Sequence, residues 1–198
     1  MKTRTLYLFR HGQTDWNAAE RFQGHTDIPL NDIGREQARQ LIPYFRENSI
    51  DAVLSSDLTR ASETAKIIAD ALFIPVYQHY GLREAHLGAA QGLTRVEIET
   101  NLGEELAKRW RSSHVSDADV SYPGGETGKQ VLQRSFRAIE DFLLAHPWTK
   151  IGVATHGGVI RRIMHQLLPP NSPDVQIPNT VVYRICYDTE NCRFHLSD

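Results

Sequence analysis

The stretch LFRHGQTDWN, residues 8–17, joins a short apolar run to a cation, an imidazole and a glycine. The run Thr5–Phe9 is rich in strand-forming residues and predicts a buried strand. Arg10, His11 and Gly12 then stand where that strand ends. Such a strand end is either an ordinary exit to solvent or the floor of an anion site. The residues at the ends of the other strands decide between these two interpretations.

Outward from this stretch, predicted strands alternate with predicted helices. This alternation implies crossover connections and predicts an α/β fold of three layers, α/β/α, with a mainly parallel sheet. A hairpin near the carboxyl terminus predicts an antiparallel edge strand. No internal repeat or break in composition divides the chain, so residues 1–198 are expected to form one domain. We expect strands at 5–9, 51–55, 76–78, 151–155, 181–187 and 193–196, and helices at 34–45, 58–72 (capped by Ser56 or Asp57), 97–110, 127–144 and 157–168.

Composition excludes several classes of protein. The 198 residues are 40% hydrophobic and 23% charged, with a net charge of -2, so no global basic field favours nucleic acid or anionic membrane. The apolar run at the amino terminus is too short for a signal peptide, and no stretch approaches the ~20 apolar residues of a membrane helix. Cys186 and Cys192 are expected to be free thiols. These features predict a cytoplasmic protein that binds no membrane.

Cations and imidazoles follow three of the predicted parallel strands. Arg10 and His11 end the first strand, Arg60 follows the second, and His156 follows the fourth before two glycines. The third strand is followed by Glu84. Because the carboxyl ends of parallel strands share one edge of a sheet, these side chains are expected to meet there. Two guanidiniums and a helix that begins at Gly157 favour a bound phosphate.

Metal binding is the main alternative use of clustered histidines. The chain has nine histidines but no HExxH, H-x-H or Cys-x-x-Cys spacing. A site of two imidazoles and two guanidiniums also repels a divalent cation. We therefore expect neither a metal nor another cofactor.

These motifs together resemble the signature of the histidine phosphatase superfamily, which includes the cofactor-dependent phosphoglycerate mutases. The resemblance spans nearly the whole chain in the family's order, and it implies a phosphoglycerate mutase-like fold with a small helical and loop cap around residues 85–125. It rests on Leu8–Thr14 with Asn17, Leu30, Gly34 and Ala38, Ser55–Ala61 with Thr64 and Ala65, Leu82–Glu84, Pro123–Glu126 and Thr155–Gly158.

The resemblance also implies a role for each matched residue. His11 is the nucleophile that becomes phosphorylated, and Glu84 is the general acid and then the general base. Arg10, Arg60 and His156 clamp the phosphoryl group. Physical chemistry agrees, because nearby cations disfavour imidazolium and keep a histidine nucleophilic near neutral pH. The remaining residues implied at the phosphate site are Asn17, Gln23, Gly24 and the amide of Gly157.

The resemblance leaves the acceptor of the phosphoryl group open, and water would make the chain a phosphatase. Residues 88–93, which include Gln91, look like the mutase form. Ser112, Leu87 and Gly158 replace an arginine, a tyrosine and an asparagine of mutases, and the chain lacks the mutases' long insertion and carboxyl-terminal tail. A mutase must exclude water from its phosphohistidine, and a shorter cap does so less well. Phosphomonoester hydrolysis is therefore the preferred interpretation, with mutase-type transfer as the alternative.

Two arginines of the cap bear on the substrate. Arg95 matches a basic substrate-binding position, and Arg111 matches the first of a paired arginine. Both either bind a second anionic group of a small phosphorylated metabolite or are solvated on a helix face. A non-enzymatic binding module is disfavoured because every matched catalytic position is filled. The edge hairpin at residues 181–196 predicts that two copies of the chain can pair as a homodimer.

Overall fold

A computed structural model describes residues 3–112, 117–169 and 172–197 of the chain. Its sheet has the strand order β3-β2-β4-β1-β5-β6. The first four strands run parallel, whereas β5 is antiparallel to β1 and β6 to β5. The predicted parallel sheet with an antiparallel edge is confirmed. The strands are β1 (Thr3–Arg10), β2 (Ala52–Ser55), β3 (Val76–Gln78), β4 (Lys150–Thr155), β5 (Val182–Asp188) and β6 (Arg193–Leu196).

Helices cover both faces of the sheet, as parallel strands require. Alternate residues of β1 enter different cores: Leu6 and Leu8 pack with α7 and α8, and Tyr7 and Phe9 pack with α3 and α4. This arrangement confirms the three layers. The helices are α1 (Asp15–Ala18), α2 (Asp32–Gln40), α3 (Ile42–Asn48), α4 (Thr59–Leu72), α5 (Arg95–Leu102), α6 (Glu104–Arg111), α7 (Gly128–Ala145) and α8 (Gly157–Leu167).

Two predicted helices are each divided in the structure. The helix expected through Phe45 ends at Gln40, and α3 begins with Pro43 in its first turn. Proline has no amide hydrogen and its ring collides with the carbonyl four residues earlier, so it fits only a helix start. The helix expected over 97–110 is likewise split at Gly103, whose φ of 96° leaves the helical region.

The cap predicted for α4 is wrong. Leu58 occupies the N-cap position, and the amide of Thr59, the first residue of the helix, donates to Asp27 Oδ1 at 2.8 Å instead. The carboxylate of Asp57 instead makes two hydrogen bonds with Arg83, at 2.8 and 2.5 Å, and these hold the pKa of Asp57 below its usual range. A bidentate bond to a guanidinium joins the loop after β2 to the segment that carries Glu84, which local sequence does not reveal.

Residues 88–111 lie outside the sheet and contribute a 3₁₀ turn (Gly88–Ala90), α5 and α6. The loop predicted at 112–125 lies partly outside the described residues, which resume at Asp117. No helix in the described ranges is long and apolar enough to cross a membrane.

Candidate active site

The carboxyl ends of β1, β2 and β4 form one edge of the sheet. Arg10 is aligned with Thr155 across β1 and β4, and the amide of His11 donates to the Thr155 carbonyl at 3.1 Å. A cavity of about 320 Å³ opens at this edge. Its wall consists of residues from the strand ends, the cap and the segment before β5: Arg10, His11, Asn17, Glu20, Arg21, Phe22, Gln23, Gly24, Arg60, Glu84, Leu87, Trp110, Arg111, Gly157, Gly158, Arg161 and Ile177.

His11 is held in one tautomer on the floor of this cavity. Its Nδ1 lies 2.7 Å from the Gly12 carbonyl oxygen, and because a carbonyl only accepts, Nδ1 carries the proton. The lone pair therefore resides on Nε2. Burial lowers the pKa of His11 well below its usual value, and Arg10 and Arg60 lower it further. The ring is neutral and nucleophilic at neutral pH.

His156 lies behind His11 rather than in the cavity wall. It is completely buried, its ring centroid is 5.2 Å from that of His11, and its Nε2 is 2.8 Å from Ser56 Oγ. Burial, followed by repulsion from Arg60, lowers the pKa of His156 well below its usual value. Its Nδ1 is buried and has no hydrogen-bond partner among the described residues.

The two arginines of the site are fixed by backbone carbonyls. Arg10 donates to the Ile177 carbonyl at 2.7 Å, and Arg60 donates to those of Gly24 and Thr26 at 2.8 and 3.0 Å. Arg60 is 1% exposed, and burial lowers its pKa to about 10, so it stays charged at neutral pH. The Nε atoms of Arg10 and Arg60 are buried without an acceptor among the described residues. These donors match what an oxyanion requires.

Glu84 reaches the same edge from the segment after β3. Its Oε2 accepts from the Gly158 amide at 3.0 Å, in the first turn of α8, and its Oε1 accepts from its neighbour Ala85. A Cβ at Gly158 would lie 2.4 Å from Oε1, whereas one at Gly157 would meet nothing closer than Arg10 Nε at 3.6 Å. Only glycine at position 158 allows the Glu84 carboxylate to lie against the first turn of α8.

The glycine of the Arg-His-Gly motif lets its loop approach the first turn of α2 closely. A Cβ at Gly12 would lie 2.2 Å from the carbonyl oxygen of Gly34, in the first turn of α2. The Gly12 amide donates to Thr64 Oγ1 in α4 at 3.1 Å. The loop that carries His11 is therefore clamped between two helices, which keeps the imidazole in position.

Asn17 is oriented by its own helix and by a distant asparagine. Its Oδ1 accepts from the Thr14 amide and from Asn179 Nδ2, both at 3.2 Å. Because an amide hydrogen can only be donated, these bonds assign the oxygen and leave the Asn17 NH₂ group for a ligand. Asn179 also donates to the His11 carbonyl at 2.9 Å. Sequence reasoning missed Asn179, which lies in a stretch without periodicity or motif.

The structure places the predicted site residues unequally. Those predicted to be catalytic, with Asn17, Gln23, Gly24 and Gly157, lie at the sheet edge, and Arg111 lies in the cavity wall. Arg95 does not line the cavity: it is 65% exposed and pairs with Glu99 at 2.8 Å, as Arg111 does at 3.4 Å. Arg161 was missed, although it follows His156 by a little more than one helical turn.

No group of three or more histidines, cysteines or acidic residues suited to a metal ion occurs within the described ranges. At this sheet edge the neutral imidazoles lie among guanidiniums, and Glu84 is held by backbone amides. That donor set fits an anion better than a cation.

Comparisons with known proteins agree with this geometry. The family pattern described as histidine phosphatase superfamily (branch 1) matches residues 6–198. The chain is 37% identical to a metal-independent phosphoserine phosphatase of Arabidopsis thaliana, over 84% of this chain and 70% of that one. It is 36% identical to a 2,3-bisphosphoglycerate-dependent phosphoglycerate mutase of Gloeobacter violaceus, over 82% and 74% of the two chains. A mycobacterial glucosyl-3-phosphoglycerate phosphatase, solved in complex with VO3, superimposes with a TM-score of 0.84 and 30% identity, covering 98% of each chain.

Proposed function

The chain belongs to the histidine phosphatase superfamily, branch 1, and from this membership we propose that it hydrolyses phosphomonoesters of small metabolites through a phosphohistidine on His11. One observation carries the proposal. The bond from His11 Nδ1 to the Gly12 carbonyl leaves a neutral Nε2 close to two guanidiniums on the floor of a small cavity. A nucleophile next to the charges that attract its electrophile is what covalent phosphoryl transfer requires.

Buried N–H groups that lack an acceptor among the described residues hold the phosphoryl group. Arg10 Nε, Arg60 Nε and His156 Nδ1 are each buried without an acceptor among the described residues. Ser56 Oγ accepts from the Leu58 amide at 3.3 Å and can donate its own proton to His156 Nε2, which leaves the proton of the neutral ring on Nδ1. The Asn17 NH₂ group adds a further donor. Together these groups stabilise the charge that spreads over the equatorial oxygens in the transition state.

Glu84 moves the proton in both steps. In the first step His11 Nε2 forms a bond to phosphorus, the ester P–O bond breaks, and protonated Glu84 gives its proton to the leaving oxygen. In the second step water forms a bond to phosphorus, the P–N bond breaks, and the Glu84 carboxylate takes a proton from the water. Such acid–base work contributes typically ~10²–10⁴-fold.

We propose that the reaction needs no metal, since guanidiniums and imidazoles supply the positive charge that a metal would otherwise bring. Hydrolysis is preferred over mutase-type transfer because of Leu87 and Gly158. Leu87 places an apolar side chain in the cavity wall where mutases have a tyrosine. At position 158 a side chain such as the mutases' asparagine would collide with Glu84 as it lies here. Two observations support the mutase alternative. The chain is 36% identical to a mutase, and Gln91, a residue of the mutase-like stretch, accepts from the amide of His25 at 2.7 Å.

One experiment tests both parts of this proposal. Protein treated with a chelator is incubated with phosphate esters, and in parallel with 3-phosphoglycerate plus 2,3-bisphosphoglycerate. We expect phosphate release, an acid-labile phosphoryl adduct on His11 by mass spectrometry, and neither in His11→Ala. Isomerisation without phosphate release would instead establish a mutase. Wild-type activity in His11→Ala would eliminate the phosphohistidine.

A further inference from the structure

We propose that Arg161 binds a second anionic group of the substrate, so that the substrate is a phosphomonoester with a carboxylate or a second phosphate close to the ester. This inference rests on the proposed hydrolysis and specifies its substrate class. It assigns the second anion to α8, on the catalytic side of the cavity, rather than to the cap arginines Arg95 and Arg111.

Arg161 differs from the other arginines of the cavity wall in having no partner among the described residues. Arg10 and Arg60 donate to backbone carbonyls, Arg21 donates to the Gly92 carbonyl and pairs with Glu97, and Arg111 pairs with Glu99. Arg161 makes no hydrogen bond or ion pair with any described residue. A guanidinium that lines a cavity with all its donors unused is prepared to bind an anion.

The position of Arg161 limits how far the two anions are apart. Gly157 and Arg161 are four residues apart in α8 and so lie on one face, about one helical turn from each other. Gly157 borders Arg10, since a Cβ there would lie 3.6 Å from Arg10 Nε. The two positions on the helix are therefore roughly 5–6 Å apart, which lets the Arg161 guanidinium meet an anion a few bonds from the phosphoryl group of a small metabolite.

The charge of the wall also favours a second anion. Five arginines line the cavity with only two glutamates, Glu20 and Glu84. Burial lowers the pKa of Arg162, the next residue of α8, and repulsion from Arg161 lowers it further. Repulsion from Arg161 likewise adds to the effect of burial on the pKa of Arg10. An anion bound at Arg161 relieves both repulsions, whereas a neutral substituent relieves neither.

Matched substrates test the proposal directly. 3-Phosphoglycerate differs from glycerol 3-phosphate in carrying a carboxylate, phosphoserine differs from phosphoethanolamine in the same way, and fructose 1,6-bisphosphate differs from fructose 6-phosphate in a second phosphate. We expect the anion-bearing member of at least one pair to have a kcat/KM higher by about 10-fold or more, the size of one charge-assisted bond. The pair that shows the preference identifies the anion as carboxylate or phosphate.

In Arg161→Gln this preference should fall to about 2-fold or less, mainly through a higher KM for the anion-bearing member of the pair. Arg161→Glu should reverse it. Arg137→Gln is the matched control, because Arg137 is 83% exposed on α7, outside the cavity wall, and pairs with Asp141. Calorimetric binding of the same pairs to His11→Ala protein repeats the comparison without turnover.

The outcomes separate this inference from the hydrolysis itself. Equal activity on both members of every pair, or a preference that survives in Arg161→Gln, overturns the role of Arg161 while leaving the phosphatase intact. If no ester is hydrolysed, the proposed function fails. The binding measurements still decide on Arg161, because a loss of discrimination in His11→Ala/Arg161→Gln supports its role and unchanged discrimination refutes it.

Discussion

At the scale of single residues, the proton on His11 Nδ1 decides what the site can do. The Gly12 carbonyl fixes that proton, and burial between two guanidiniums keeps the ring neutral. Arg10 and His11 were identifiable from sequence because they stand at the carboxyl end of a strand. The roles of Ser56 and Asn179 were not, since their partners His156 and His11 lie 100 and 168 residues away in the chain.

Gly158 offers a test at the same scale. We predict that Gly158→Ala lowers kcat at least about tenfold, part of the ~10²–10⁴ that acid–base catalysis supplies. The new methyl group would lie 2.4 Å from Glu84 Oε1 and displace the carboxylate from the Gly158 amide. Steady-state kinetics should show a greater loss for alkyl phosphates than for p-nitrophenyl phosphate, whose leaving group needs no proton.

Gly157→Ala is the matched control, because its methyl group makes only ordinary contact with Arg10. Its loss of kcat should be smaller than that of Gly158→Ala. Equal losses of kcat in the two variants, or a loss that does not depend on the leaving group, would show that Gly158 does not act by keeping the Glu84 carboxylate in position.

At the scale of elements, the side chain of Arg134 in α7 binds the segment after β3. Arg134 donates to the carbonyls of Gly81 and Arg83 at 2.7 Å and to that of Glu84 at 2.8 Å. It also makes two bonds to Glu126, at 2.8 and 2.9 Å. We propose that this guanidinium acts on the reaction only through the backbone of Glu84, as a positioning residue.

We predict that Arg134→Gln lowers the free energy of unfolding by about 2–4 kcal/mol, because the carbonyls and Glu126 lose partly buried bonds. It should also lower kcat about tenfold for alkyl phosphates and less for p-nitrophenyl phosphate, since Glu84 loses its place. Urea unfolding and kinetics measure the two effects. Arg137→Gln, three residues along α7, should change neither.

A destabilised Arg134→Gln protein that retains full kcat on alkyl phosphates at low temperature would contradict the positioning role. Such a result would leave Arg134 as a stabilising residue only. Arg134→Lys helps to interpret a partial loss, because lysine keeps the charge but cannot reach all the carbonyls at once.

The elements themselves were largely predictable, because apolar periodicity reports which face is buried. The strands and α4, α7 and α8 lie within a few residues of their predicted bounds. The errors fall where one residue outweighs the periodicity: Pro43 divides α2 from α3, and Gly103 divides α5 from α6. The cap of α4 failed for a different reason, since Asp57 is taken by Arg83, 26 residues away.

At the scale of the whole molecule, the buried histidines couple folding to pH. Unfolding exposes His11 and His156, which then bind protons below about pH 6.5, whereas the low pKa values of the folded state keep both rings neutral. The unfolded state thus takes up more protons as the pH falls. We predict that the free energy of unfolding declines from pH 6.5 to 5, by up to about 1.4 kcal/mol per pH unit for each histidine.

The contribution of one ring is measured as a difference in slope. In His11→Asn, the slope of the free energy of unfolding against pH between pH 6.5 and 5 should be smaller by an amount that corresponds to nearly one bound proton. In the double variant with His156→Asn, the slope should fall by the equivalent of a second proton. Chemical denaturation at fixed pH values provides the slopes. Identical slopes for the wild type and His11→Asn would mean that His11 is protonated in the folded state.

By itself the sequence determined the α/β layers, the parallel sheet and the convergence of Arg10, His11, Arg60, Glu84 and His156 on one sheet edge. Periodicity can be read from local sequence, and parallel strands bring their carboxyl ends to one edge of the sheet regardless of the conformation of the loops. Only the tertiary structure decided which charges are already paired. Arg95 lies outside the cavity beside Glu99, whereas Arg161 lines the cavity and bonds to no residue that the structure describes. Pairing depends on which residues the folded chain brings within a few ångströms.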